Sequence, residues 1–131
     1  MAEETLVGAQ LSPEMIASGK ELLKQLDSKM TVDAALWLLP PDSHAWRLVI
    51  ASPEVRLSGP RAVYKKVLGL LKRVAPSSLS LKDISVVDTS DPLIALFRAA
   101  IRTEHGAQDI RFTRNTISGV FVPDAFIYRL A

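Results

Sequence analysis

The chain contains no cysteine. That excludes disulfides, thiolate zinc sites, iron–sulfur ligation and a cysteine nucleophile, and it fits a reducing compartment. Histidine is almost as scarce, with only His44 and His105. Neither faces a second histidine or a carboxylate one helical turn away, so no local metal site is encoded and no cofactor is implied. Long apolar runs are missing too. Stretches such as 34–39 stop at six residues, far short of the ~20 that span a bilayer as a helix. Met1-Ala2-Glu3-Glu4 has neither the basic start nor the apolar stretch of a signal peptide. The expectation is a soluble cytoplasmic protein without membrane contact.

The absence that says most is local. Between Glu54 and Asp83 there is no carboxylate, while Arg56, Arg61, Lys65, Lys66, Lys72, Arg73 and Lys82 all fall there. Ionised side chains sum to −4 over residues 1–54, +7 over 55–82 and −1 over 83–131. The net charge of +2 therefore hides a basic block, which informs on partners better than the total does.

What is present suits one folded domain over 1–131, with residues 1–11 expected to be loose. The hydrophobic fraction is 48% of 131 residues, enough for a real core. Three helix starts share one grammar: Ser12-Pro13, Gly59-Pro60 with Ser58 before it, and Asp91-Pro92. A capping residue followed by proline loses nothing, because a first-turn N–H has no intrahelical partner. Helical periodicity follows each start, over about 13–30, 60–75 and 92–104. Strand-like runs cover 33–39, 45–51 and 83–88, then 110–113, 116–122 and 125–128. Turns are expected at Pro40-Pro41-Asp42-Ser43, Arg114-Asn115 and Pro123-Asp124. The order α-β-β-α-β-α-β-β-β predicts a two-layer α+β domain: three helices on a mostly antiparallel five- to six-stranded sheet. A turn centred between Pro41 and Asp42 would set Trp37 opposite Trp46.

Several of these strands do not alternate. Ala34 to Leu39 is apolar throughout, and only Arg47 interrupts the run from Trp46 to Ala51. Val120 to Val122 and Ala125 to Tyr128 behave alike. Such strands need cover on both faces. Either the helices divide between the faces, or a second copy covers one of them. The second arrangement makes a homodimer through a sheet face, and a non-catalytic interaction or assembly role is the leading functional expectation.

The alternative expectation comes from the helix at 60–75. On a wheel, Arg61, Lys65 and Lys72 form one border of its outer face, and Lys66 with Arg73 forms the other. Ala62 and Gly69 lie between them as a low strip. A phosphate backbone could approach such a strip closely, making this a sequence-independent polyanion site for nucleic acid. An acidic protein or solvent alone would suit the same face. No aromatic lies among these cations, and no helix-turn-helix, zinc-finger or aromatic RNA-recognition spacing occurs.

An enzyme is the third reading and the least supported. There is no Gly-rich phosphate loop and no G-x-S-x-G. Pro41-Asp42 with Glu54-Val55-Arg56 superficially resembles the PD…(D/E)xK pattern of metal-dependent nucleases, with arginine replacing lysine. Those carboxylates would stand at opposite ends of a strand, ~25 Å apart, too far to share a metal. The remaining candidates for an anion site or pocket are His44, Asp88, Asp91, Arg98 and His105. Structural uses compete for four of them: a turn for His44, a helix cap for Asp91, a helix C-terminus for His105 and surface ion pairing for Arg98.

Overall fold

Proline marks the helix starts as the sequence implies. The computed structural model describes residues 10–41, 43–73, 79–101 and 109–130. Helix α1 (Pro13–Asp27) begins at Ser12, whose Oγ accepts the Met15 N–H at 3.1 Å. Helix α4 (Pro92–Ala100) begins at Asp91, whose Oδ1 accepts the Leu93 N–H at 2.9 Å. Helix α3 (Pro60–Leu71) starts differently. Its N-cap is Gly59 at φ 88°, without a side-chain bond. Gly59 also ends α2 (Glu54–Ser58), a short helix that the sequence reading missed. Ser58 is thus the last residue of one helix rather than the cap of the next.

The described residues form five strands: β1 (Ala34–Leu39), β2 (Arg47–Ala51), β3 (Ile84–Val87), β4 (Ile110–Ile117) and β5 (Val120–Leu130). They form one sheet in the order β3-β2-β1-β5-β4. The fold is α+β and the element order is the expected one, apart from the added α2 and the merging of the last strands into two, but the sheet is mixed rather than mostly antiparallel. β2 and β3 run parallel, while β1–β2, β1–β5 and β4–β5 are antiparallel. The reason is the connection: α2 and α3 cross over one face between β2 and β3, and a crossover returns the chain in the same direction.

The non-alternating strands are explained by cover on both sides. On one face α1 and α3 bring Leu22, Leu26, Val63 and Val67 onto Ala35, Trp37, Leu48 and Ile50. On the other, α4 brings Ile94 and Phe97 onto Ala34, Leu36, Val49, Ala51 and Ile127. The helices therefore divide between the faces, in place of the two layers expected. β1 lies in the middle of the sheet, and Ala34 to Trp37 are all buried.

Two registers depart from expectation. Trp37 pairs with Leu48, not Trp46, because the β1–β2 connection is centred one residue later than the turn signal suggested. The two tryptophans still share a face and a core. After α4 there are two long strands instead of three short ones. The chain reverses at Ser118-Gly119, with φ 49° and 84° and Ile117 opposite Val120. Positive φ at both central residues matches the twist of a two-residue hairpin. Arg114 and Pro123 instead lie within the strands. Pro123 immediately precedes Asp124, whose pairing with Leu39 is where β5 first meets β1, so its missing N–H falls outside the β1–β5 ladder.

Trp37, Tyr128 and Gly19 lock helix to sheet. Tyr128 is the extra residue of a bulge between the Ala35–Arg129 and Leu36–Ile127 pairs. The Trp37 indole N–H donates to Tyr128 Oη at 2.8 Å, and that hydroxyl donates to the Ile16 carbonyl at 2.6 Å. Burial raises the Tyr128 pKa and keeps the hydroxyl a donor. A Cβ on Gly19 would lie 2.4 Å from that oxygen, so only glycine lets α1 approach this closely. Arg129 adds a two-pronged clamp, bonding both carboxylate oxygens of Asp27 at 2.7 and 2.8 Å.

Candidate polyanion cleft on helix α3

Helix α3 owes its outer face to periodicity. Val63, Val67, Leu70 and Leu71 are buried, and this stripe fixes which residues face water. Arg61, Lys65, Lys66, Lys72 and Arg73 are all exposed, as expected of the basic face. The structure narrows that set. Lys65, Lys66 and Arg73 line one shallow cleft of about 230 Å³ around Gly69 and Leu70. Arg61 and Lys72 stay on the border outside it.

A fourth cation joins them. Lys29, just beyond the C-terminus of α1, lines the same cleft. It was not among the sequence candidates because it lies far away in the chain, and only the packing of α1 beside α3 brings it in. A lysine next to Ser28, which closes α1, is its one sequence signal. Gly69 forms the floor. A Cβ there would meet nothing within 4 Å, so the fold does not require this glycine. It costs the helix about 1 kcal/mol against alanine and leaves the backbone open to close approach.

The neighbouring charges are sparse. Glu54, the first residue of α2, bonds Lys66 through Oε1 at 3.3 Å. Lys29, Lys65 and Arg73 make no ion pair among the described residues. The row from Lys65 to Arg73 covers two helical turns, ~12 Å along the axis. It can meet several charges of an extended anion at once.

The other candidates serve the fold. Asp91 caps α4. Asp88 accepts the Ser90 N–H at 3.1 Å and the Ser90 hydroxyl, and these bonds hold its pKa below the usual carboxylate value. Its second oxygen, Oδ1, is buried without a partner among the described residues. Arg98 donates to the Thr89 carbonyl at 3.4 Å. These three gather near the C-terminal end of β3. His44 is exposed in the loop before β2, at the opposite end of the sheet. His105 and Asp42 lie outside the described residues. Glu54, the other half of the nuclease-like pattern, is engaged by Lys66. No group of three metal-ligating side chains occurs among the described residues, and no helix there is long and apolar enough to cross a membrane.

No family model, curated protein or solved structure matches the chain.

Proposed function

We propose that this chain is a non-catalytic, nucleic-acid-associated protein that holds a phosphate backbone on the outer face of α3, whatever the base sequence. The observation that carries this reading is the convergence of Lys29, Lys65, Lys66 and Arg73 on a cleft floored by Gly69. Cations from α3 and from the turns that follow α1 and α3 flank backbone that no side chain shields, which suits a repeating phosphate better than a single carboxylate. The cleft has no aromatic lining, so base stacking adds nothing and duplex is the better ligand.

The test is fluorescence anisotropy of a labelled duplex DNA of random sequence at about 50 and 200 mM salt. Neutralising three to four phosphates gives a ~40- to 150-fold loss of affinity across that range. Lys65→Glu with Lys66→Glu abolishes binding. Absence of binding by the unaltered protein at the lower salt would remove the reading.

One observation favours self-association as a second reading. The β4–β5 hairpin outruns β1, and at its tip Val120 and Phe121 remain 46% and 49% exposed. Phe121 also borders an open groove of about 810 Å³ with Leu11, Leu39 and Pro123. The sheet's second face is covered by α4, so a homodimer would use this hairpin rather than a bare sheet.

A further inference from the structure

Resting on that reading, we propose that Glu54 is a built-in competitor for the phosphate ligand, an anion of the chain's own that occupies one cation of the cleft. The acid-free window begins immediately after Glu54 in sequence, yet the fold carries this carboxylate back onto the basic helix. Gly59 makes that return possible. At φ 88° and ψ 153°, a conformation that suits glycine alone, it turns α2 against α3. The Glu54 carboxylate then meets the Lys66 ammonium at 3.3 Å. Glu54 is positioned from its other side too, since the Ser52 hydroxyl accepts its backbone N–H at 3.1 Å and donates to the Thr31 carbonyl at 2.6 Å.

The pair is partly open to solvent, with side-chain exposures of 41% for Lys66 and 27% for Glu54. An exposed pair of this kind is weak and sensitive to salt. It can therefore yield to a ligand that offers a phosphate in place of the carboxylate. Until it does, three cations of the cleft face the ligand and Lys66 is neutralised. A single small anion gains little by exchanging one ion pair for another. A chain of phosphates already held by Lys29, Lys65 and Arg73 presents its next charge to Lys66 at high local concentration. Glu54 thus favours polyvalent anions over monovalent ones.

Five proteins decide it in the duplex titration: the unaltered chain, Glu54→Gln, Lys66→Gln, the Glu54→Gln/Lys66→Gln double variant and Glu14→Gln. Glu54→Gln keeps the shape of the side chain and removes its charge. Glu14→Gln, at the far end of α1 from Lys29, matches the change in net charge. The expected result is a two- to fivefold gain in affinity for Glu54→Gln at about 50 mM salt. Its slope of log K against log salt becomes steeper by about 0.9, one more phosphate neutralised. Both changes vanish in the Lys66→Gln background, and Glu14→Gln shows neither. If the unaltered protein binds and Glu54→Gln matches it in affinity and slope, the competitor role is overturned while the phosphate site stands. A gain that persists without Lys66, or is equalled by Glu14→Gln, overturns it as well. If the unaltered protein shows no salt-sensitive binding, the site itself is gone, and the competitor with it.

Discussion

Two glycines in helices make opposite statements. At Gly19 a methyl group would meet Tyr128 Oη at 2.4 Å and the Trp37 indole nitrogen at 2.9 Å. Gly19→Ala is expected to lower stability by ~1–3 kcal/mol, as overpacking does. At Gly69 the same methyl meets nothing, so Gly69→Ala should raise stability by about 1 kcal/mol. Urea titrations of the two variants read the difference directly, and equal effects would contradict the packing described. Periodicity already places Gly19 on the apolar stripe of its helix and Gly69 on the outer face of the other; how closely α1 approaches the sheet at Gly19 depends on the bulge at Tyr128, which no local pattern announces. The Asp88–Ser90 turn adds a pH dependence. Its hydrogen bonds lower the folded pKa of Asp88 below 3.8. The stability they contribute is present above that value and is lost as pH falls through the depressed one. Ser90→Ala should therefore make stability fall less steeply between about pH 4 and pH 2, measured by denaturant midpoint at each pH.

At the scale of elements, proline and glycine were legible where their chemistry is local. Ser12-Pro13 and Asp91-Pro92 start helices because a cap and a first-turn proline suffice wherever the chain lies. The last third of the chain was not legible in the same way. Arg114-Asn115 and Pro123-Asp124 carry turn-forming residues, yet both sit inside strands. Ser118-Gly119, a less emphatic signal, is the reversal. The deciding factor is pairing: β4 and β5 align in one register from Ile110–Ile127 to Ile117–Val120, and a single long ladder outweighs two local preferences. Gly119→Ala, at φ 84°, is expected to cost ~1–2 kcal/mol, with hydrogen exchange accelerated most in β4 and the tip of β5. Loss spread evenly over the sheet would argue against a locally set hairpin. Helix α2 was missed because five residues carry too little periodicity to register.

For the molecule as a whole, the non-alternating strands correctly announced two covered faces but not what covers them. A sequence that supplies three amphipathic helices does not say how they divide, since that follows from the handedness of the β2-to-β3 crossover. The basic helix was legible as a face, whereas the cleft was not, because Lys29 arrives through tertiary packing. The hairpin sets the remaining question of assembly. Light scattering after size exclusion at tens of micromolar is expected to show twice the 14.3 kDa chain mass. Phe121→Lys should return the species to a monomer without changing the denaturant midpoint by more than about 0.5 kcal/mol equivalent. A monomeric unaltered protein would leave Val120 and Phe121 as ordinary exposed residues.

The central place of β1 also sets the order in which the molecule can assemble. Its partner on one side, β2, follows almost at once along the chain. Its partner on the other is β5, and the Trp37–Tyr128 bond joins residues 91 apart. Closing a loop of that length costs ~4 kcal/mol of chain entropy before any contact is gained. During synthesis, α1 to β3 can therefore gather while β1 still presents a bare, apolar edge to its surroundings. The strand at the heart of the finished sheet is the last to be enclosed, and for that interval it is the part of the chain most open to pairing with the wrong neighbour.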